Sequence, residues 1–188
     1  MSKAKVLTQE EAKRVLRIAE LSRLGQRDRL ALALSIVGGM RVGEIAALTV
    51  GDVRGLDGRA VEIIHLTRHQ TKGSRSRRVF VSDELKKILN AFLSNSRKLS
   101  DTAPVIASSR TRKRMSTVTL STRLKYVYRE AGIDTSSHAG RRTFATRKNE
   151  LGIGMATIQR LMGHSSIQTT ALYCDVSDQQ LMNAVNAG

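Results

Sequence analysis

Four short patterns along the chain hold side chains that could act together on a phosphate group. They are, in chain order, Gly39-Met-Arg41-Val-Gly-Glu44, Thr71-Lys72-Gly73, Ser137-His138-Ala-Gly-Arg141, and Gly163-His164 followed nine residues later by Tyr173. The guanidiniums of Arg41 and Arg141 can grip the non-bridging oxygens of a phosphate and stabilise the extra charge of a pentacoordinate state. Lys72 would be a mobile cation able to reach a phosphate or a leaving oxygen.

Two of these patterns pair a basic residue with a second side chain one helical turn away. His138 and Arg141 would share a face of the first turn of a helix, whose free N–H groups and positive end favour an anion. Glu44 follows Arg41 by one turn. We interpret Glu44 as a structural carboxylate that orients Arg41 or a neighbouring cation.

His164 and Tyr173 can meet only if the chain bends between them. In one straight helix a separation of nine residues, at about 100° each, would place them on opposite faces. Gly163 is a predicted helix C-cap, and Ser165-Ser166 offers the N-cap of a following helix. Both features permit the bend that would bring the two rings together.

The elements that must position these residues are predicted to be mostly helical. Thr8 and Glu11 match a capping box, and Ser82 and Ser116 could cap two later helices. Two β-rich runs, 60–66 and 78–81, flank the turn that carries Lys72 and predict a hairpin. Helices are predicted near residues 9–19, 27–37, 41–48, 82–94, 117–131, 138–151, 155–162, 167–173 and 178–185, the last with Ser177 as its cap. The fold class is therefore α+β, mainly α-helical, with one small antiparallel sheet.

Length and composition restrict the class of protein further. The 188 residues suit one domain, and 32 Lys plus Arg against 16 Asp plus Glu give a net charge of +16. A single cysteine, Cys174, excludes an internal disulfide and a Cys-rich zinc site. The chain has neither an apolar run of the ~20 residues that span a membrane nor a signal-peptide core, so we expect a soluble, cytoplasmic protein.

The basic residues are spread along the chain, which suits a folded surface that wraps double-stranded DNA. The scarcity of aromatic side chains argues against single-strand binding by base stacking. A solvated basic surface without a nucleic-acid partner is the alternative. The clusters are Arg23, Arg27 and Arg29; Lys72 to Arg78; Arg110 to Arg114; and Arg141, Arg142 and Arg147.

Each candidate residue also has an ordinary structural explanation. Tyr173 could be a half-buried packing residue, His164 a capping or core histidine, and Lys72 a solvated turn residue. An arginine near a helix start is often a surface charge. The ordered set favours a joint function, because these explanations would otherwise have to coincide in one fixed order.

At these residues the sequence resembles the tyrosine recombinase, or phage-integrase, family. The resemblance spans about residues 37–176 and is specific in order and spacing. It implies a catalytic domain of that family with residues 177–188 as a C-terminal tail or helix. It also implies DNA integration, excision or inversion at a recombination site, as in mobile elements, by a homotetramer on two duplexes. The matching residues are Arg41, Glu44, Lys72, His138, Arg141, Gly163, His164 and Tyr173.

The resemblance assigns a role to each side chain. Tyr173 would attack the scissile phosphate to form a 3′-phosphotyrosyl intermediate and a free 5′-hydroxyl. A free tyrosine has a pKa of about 10, so a base must assist its deprotonation. The resemblance implies that His138 is this base. Lys72 would be the general acid. Arg41, Arg141 and His164 would stabilise the transition state in place of a metal, so no metal or cofactor is expected.

The sequence departs from the family at two places. Gly140 stands where a large apolar residue is usual, and we expect looser positioning of Arg141 above it. Only about 36 residues precede the matching region, too few for the separate N-terminal domain that clamps the duplex. The chain therefore resembles either the compact single-domain invertases that switch fimbrial genes or an excised catalytic domain.

Two other functions and one structural choice stay open at this point. A type IB topoisomerase uses a similar residue set, although the Gly-His-x₈-Tyr arrangement favours a recombinase. A catalytically silent DNA-binding regulator would also keep the fold, although all six catalytic positions are filled. The apolar stripe of Leu181, Met182 and Val185 could dock on a neighbouring protomer or on its own domain.

Overall fold

The computed structural model describes residues 4–71, 75–173 and 178–186 of the chain. These residues form a mainly helical structure with one two-stranded antiparallel sheet, which confirms the predicted fold class. In the described ranges, no helix is long and apolar enough to cross a membrane. The elements are α1 (Gln9–Leu21), α2 (Gly25–Ile36), α3 (Val42–Ala47), α4 (Val50–Val53), β1 (Ile63–Leu66), a 3₁₀ helix (Arg68–Gln70), β2 (Arg77–Phe80), α5 (Asp83–Asn95), α6 (Thr117–Glu130), α7 (Ala139–Glu150), α8 (Met155–Met162), α9 (Ile167–Ala171) and α10 (Asp178–Asn186).

The helix starts follow the local sequence signals. Thr8 and Glu11 form the predicted capping box at the start of α1. Ser82 and Ser116 each accept a hydrogen bond from a backbone N–H in the first turn of α5 and α6. These polar side chains satisfy N–H groups that have no partner within their helix.

Two predicted elements are shorter in the structure. The first strand begins at Ile63 and not at residue 60, because Ala60 pairs with Arg54 in an isolated bridge outside the sheet. Helix α9 ends at Ala171, because the N–H of Tyr173 bonds to the carbonyl of Thr170 three residues back. The predicted cap of α10, Ser177, lies outside the described residues.

Helix α2 is the centre of the main core. Its residues 30–34 have no solvent exposure, and it packs against α1, α5, α6 and α7. A helix that is apolar on all sides is stable only when other elements surround it. Residues on these neighbours are therefore held relative to one rigid element.

Helix α7 approaches α2 most closely at Gly140. A Cβ atom on Gly140 would lie 2.6 Å from Ser35 Oγ and 2.9 Å from Ile36 Cγ1. The expectation that Arg141 would be positioned more loosely above Gly140 is therefore wrong, because α2 already occupies the space that a larger side chain would fill. The glycine allows the two helices to touch.

A second, smaller core attaches the C-terminal helices to α7. It consists of Phe144 and Ala145 from α7 with Ile158 and Met162 from α8, and Tyr173 packs against it. Burial of such side chains stabilises by about 1.5–3 kcal/mol each. This core fixes the end of α8 against α7.

A buried carboxylate on α2 binds two of the arginines inside the fold. Asp28 is fully buried and accepts hydrogen bonds from Arg27 on the same helix and from Arg123 on α6. A buried charge is tolerated only when it is paired. Arg27 therefore serves the fold, although it belongs to one of the basic clusters expected on the DNA-binding surface.

Gly140→Ala should destabilise the protein by about 1–3 kcal/mol, because its Cβ would overlap α2. The matched control is Gly43→Ala, since Gly43 is also the second residue of its helix and a Cβ there would meet only the Thr117 side chain, with Oγ1 at 3.6 Å and Cγ2 at 3.8 Å. We expect the control to be neutral or stabilising by up to about 1 kcal/mol. Urea unfolding of both variants measures the difference, and equal stabilities would contradict the close contact.

Candidate active site

The C-terminus of α8 binds three arginines that come from three different elements. The backbone carbonyls of residues 161–163 accept, in order, hydrogen bonds from Arg77 Nη1 at 2.9 Å, from Arg141 Nη2, and from Arg41 Nη2 at 3.2 Å. Carbonyls at a helix C-terminus have no intrahelical partner and carry a negative partial charge. The helix end therefore gathers three positive charges at one place.

Glu44 binds two of these arginines from the first turn of α3. Its Oε1 accepts from Arg41 Nη1 at 2.9 Å and from Arg77 Nε at 3.0 Å. Its Oε2 accepts from the Arg41 backbone N–H and from Arg77 Nη2, both at 2.7 Å. The carboxylate thus contacts Arg41 and a neighbouring cation.

The charge state of Glu44 follows from these contacts. Its side chain is only 1% exposed, and this burial acts to raise the pKa of the carboxyl. The hydrogen bond and charge of Arg77 outweigh the burial, with help from the Arg41 N–H, so the net pKa is lowered. The carboxylate is therefore ionised at neutral pH.

Arg141 and Arg41 differ in their access to solvent. Arg141 lies in the first turn of α7, is 2% exposed, and also donates to the carbonyl of Gly39. Burial first, and repulsion from Arg41 second, lower the pKa of Arg141 to about 9, which leaves it charged at neutral pH. The Arg41 side chain keeps 25% exposure, so Arg41 presents the more open guanidinium.

The predicted bend between His164 and Tyr173 is confirmed. Gly163 ends α8 with φ +62°, a left-handed conformation that glycine adopts without strain. The Ser166 hydroxyl then accepts from the N–H of Gln168 and starts α9. The ring centroids of His164 and Tyr173 lie 5.4 Å apart, with the planes tilted by 36°.

Two backbone contacts anchor Tyr173. Its carbonyl accepts a hydrogen bond from Thr146 Oγ1 of α7 at 2.7 Å, and its N–H donates to the Thr170 carbonyl at 2.9 Å. Its side chain packs on the small core that contains Phe144. The tyrosine is therefore tied to the helix that carries Arg141.

His164 is neutral at physiological pH. Burial first, and then the positive charges of Arg141, Arg41 and Arg77, lower its pKa to about 4. Its Nδ1 lies 2.9 Å from Thr170 Oγ1. Proton donation from the Thr170 hydroxyl to Nδ1 would leave the ring proton on Nε2.

Two depressions in the surface meet at Arg41. A groove of about 600 Å³ is lined by Arg41, Thr71, Arg114 and His138, among others. A neighbouring depression of about 420 Å³ is also lined by Arg41 and Thr71, and contains His164. Arg41 therefore borders both depressions, and this concave surface has His138 on one side of Arg41 and His164 on the other.

Five of the six predicted catalytic residues lie on or beside this surface. Arg41, His138 and His164 line it, Arg141 is buried behind it, and Tyr173 stacks near His164. Unlike Arg141, His138 is exposed, although the two are one turn apart. Lys72 lies outside the described residues.

Arg77 was not among the predicted site residues, because it belongs to the basic run 75–78. A signal was present, because residues two apart in a strand point to the same face. Arg77 is two residues before the buried Val79, and the structure places its side chain inward with 7% exposure. An arginine on the buried face of a strand requires an acidic or carbonyl partner.

The sequence model of the phage integrase family matches residues 5–180 of this chain. The chain is 32% identical over 184 residues to tyrosine recombinase XerA of Pyrococcus furiosus, covering 96% of this chain and 60% of that protein. The crystal structure of XerA recombinase superposes with a TM-score of 0.79 at 27% identity, covering 100% of this chain and 64% of that one. A complex of XerH recombinase with its palindromic difH substrate superposes with a TM-score of 0.76 at 21% identity, covering 98% and 53%.

By the extent of this match, the chain belongs to the phage integrase family. The match begins at residue 5, so it includes α1 and α2 as well as the region from 37 onwards. The chain spans about 60% of the length of the XerA protein that it matches.

His164→Gln should make stability less sensitive to acid. An unfolded histidine has a pKa of about 6.5, whereas that of folded His164 is about 4. Between these values the unfolded chain binds more protons, so stability falls as the pH drops from about 6.5 towards 4. Between pH ~7 and ~4.5 this difference in pKa corresponds to roughly 2–3 kcal/mol of acid destabilisation, which the variant would lack.

Urea unfolding near pH ~7 and ~4.5 measures this difference. His65→Gln is the matched control, because His65 is an exposed histidine on β1, and it should keep the wild-type pH dependence. An unchanged pH dependence in His164→Gln would show that the ring is not held neutral by its surroundings.

Proposed function

We propose that this chain is the catalytic domain of a site-specific DNA recombinase that cleaves and rejoins DNA strands through a 3′-phosphotyrosyl intermediate. One observation carries the proposal: Arg41, Arg141, His164 and Tyr173 converge at the C-terminal end of α8, although they are far apart in the sequence. Family membership supports the same reaction class.

In this proposal Tyr173 is the nucleophile. Its phenolic oxygen forms a bond to phosphorus while the bond from phosphorus to the 5′-oxygen breaks. His138 accepts the phenolic proton as general base. Its exposure in the groove beside Arg41 leaves it open to a bound DNA strand.

Arg41, Arg141 and His164 would stabilise the pentacoordinate phosphate. Arg41 is open enough to donate directly to a non-bridging oxygen, whereas the buried Arg141 contributes its charge from behind the site. A neutral His164 would donate from Nε2. Preorganised donors of this kind typically contribute 10²–10³-fold each to the rate, and no metal is required for them to act.

Lys72 would protonate the departing 5′-oxygen. The residues on both sides of its turn support this role, because Thr71 and Arg75 line the same depression as His164. The Thr71 hydroxyl donates to the Arg75 carbonyl at 2.6 Å, so the two described residues that flank 72–74 lie close together. The reverse reaction, attack by a 5′-hydroxyl from another strand, would release the tyrosine without a cofactor.

The substrate would be double-stranded DNA, laid along the basic surface around the groove. Arg114 lines that groove and is exposed. The net charge of +16 supports an electrostatic contribution to binding, even though several arginines are held inside the fold. A recombinase that acts on chromosomal DNA would be located in the cytoplasm, at the nucleoid.

Strand exchange would take place in a homotetramer on two duplexes. The apolar side chains of α10 support docking on a neighbouring protomer, because Leu181, Met182 and Val185 are 55%, 58% and 78% exposed. An apolar stripe with this much exposure is typical of an interaction surface.

The recombinase is favoured over the other two functions. The named relatives are tyrosine recombinases, which argues against a type IB topoisomerase. The assembled site argues against a silent regulator, since three buried or half-buried arginines are costly to retain without a use.

Tyr173→Phe should abolish covalent attachment to DNA, because the nucleophilic oxygen is lost. The probe is a nicked duplex built from inverted repeats in the DNA that flanks the gene, whose short cleaved strand diffuses away and traps the adduct. Tyr126→Phe is the control, because Tyr126 is an exposed tyrosine on α6. Denaturing gel electrophoresis should detect the adduct with wild type and the control only, and an adduct with Tyr173→Phe would refute the assignment.

DNA affinity should fall steeply as salt increases, because phosphate contacts release counterions. Arg114→Ala should reduce the slope of log K against log salt by about 1. Arg129→Ala removes another exposed charge, one that does not line the groove, and should leave the slope unchanged. Fluorescence anisotropy between about 50 and 200 mM salt measures the slopes, and a flat wild-type response would contradict DNA binding along the groove.

A further inference from the structure

Arg77 is the most extensively bonded arginine of the site, although the residue set of the proposed reaction does not include it. It begins β2, and its side chain is 7% exposed, whereas its neighbours Arg75 and Arg78 are exposed. Its guanidinium makes three hydrogen bonds, two to Glu44 and one to the Leu161 carbonyl. One planar group therefore joins β2, α3 and the end of α8.

We propose that Arg77 is a positioning residue, which holds Arg41 through Glu44 and holds the turn before His164 through the end of α8. This inference rests on the proposed function, in which Arg41 and His164 act on the phosphate.

Arg77 and Arg41 share one carboxylate, that of Glu44. Each oxygen of Glu44 accepts one bond from Arg77 and one from Arg41. A fork of two parallel N–H···O bonds fixes the plane of a carboxylate, which a lysine cannot do. Without Arg77, Glu44 would be held by Arg41 alone, so the plane of the carboxylate and the Arg41 side chain that bonds to it would be less firmly fixed.

Arg77 also contacts the turn at Gly163. A Cβ on Gly163 would lie 2.4 Å from Arg77 Cδ, so the aliphatic stem of Arg77 packs directly on that turn. Its Nη1 holds the carbonyl of Leu161, two residues before the turn, at 2.9 Å. The direction in which the chain leaves α8 towards His164 therefore depends on Arg77.

Arg77 also acts on His164 through its positive charge. The charge of Arg77 adds to burial and to the charges of Arg141 and Arg41 in lowering the pKa of His164. Arg77 also lines the depression that contains His164 and Arg41. Removal of this charge should therefore be detectable at His164 without any DNA.

The fold provides a matched control for a purely structural role. Arg123 also pairs with a fully buried carboxylate through two donors: its Nε at 2.9 Å and its Nη2 at 2.6 Å both bond to Asp28 Oδ2, and its side chain is 25% exposed. Its guanidinium also lies over the Tyr126 ring, and among the described residues it forms no hydrogen bond or ion pair with a proposed catalytic residue. Loss of either arginine leaves a buried carboxylate with one remaining arginine partner, Arg41 for Glu44 and Arg27 for Asp28, and should reduce stability to a similar extent.

The test compares Arg77→Lys and Arg77→Met with Arg123→Lys and Arg123→Met. We expect the two lysine variants to lose similar amounts of unfolding free energy and to bind DNA with similar Kd. Single-turnover formation of the covalent adduct on the nicked duplex should slow about 10- to 100-fold in Arg77→Lys. A lysine cannot form the fork with Glu44, so Arg41 and His164 would no longer be aligned with the phosphate. Arg123→Lys should stay within about threefold of wild type.

A second readout needs neither DNA nor activity. An NMR titration of His164 should show a higher pKa in Arg77→Met than in wild type, and an unchanged pKa in Arg123→Met. If Arg77→Met does not fold, the titration is made on Arg77→Lys, where the broken fork should still shift the His164 resonances and those of Arg123→Lys should not move.

The two readouts separate the failure of this proposal from that of the proposed function. Equal cleavage rates in folded Arg77→Lys and Arg123→Lys would overturn the positioning role. So would unchanged His164 signals in the Arg77 variants. If the wild type forms no adduct, the proposed function fails, and the His164 titration still decides whether Arg77 controls the site.

Discussion

Mutual repulsion among three guanidiniums at one helix end is the constraint that shapes this site. Arg41, Arg77 and Arg141 donate to consecutive carbonyls at the C-terminus of α8, and two of them share the carboxylate of Glu44. These contacts act in a largely buried setting, where charge interactions are stronger than in water. Because the partners come from α3, β2, α7 and α8, the balance exists only when all four elements are in place.

The neutral state of His164 is a consequence of the same positive charge. A protonated imidazole would add a fourth charge beside the three arginines, so the ring is held uncharged. One carboxylate and a few carbonyl dipoles offset the arginines only in part. An anion placed against Arg41 would complete the balance, which is the physical reason why such a site suits a phosphate.

Local signals in the sequence were sufficient for the longer helices and for the bend at Gly163, because caps and left-handed turns depend on neighbouring residues, although the short helix α4 and the 3₁₀ helix were not predicted. They failed where a distant segment supplied the contact. Gly140 looked like a gap beneath Arg141, but α2 fills that space. Arg77 looked like one member of a basic run, but its strand position turns it towards Glu44.

The sequence by itself determined the identity and order of the candidate residues, the helical fold class, and the bend that lets His164 approach Tyr173. Each of these follows from residue type and short-range spacing. Only the tertiary structure decided that Arg141 is buried while Arg41 stays open, and that Arg77 belongs to the site. Burial and the choice of an ion-pair partner depend on segments far apart in the chain, so no local pattern contains them.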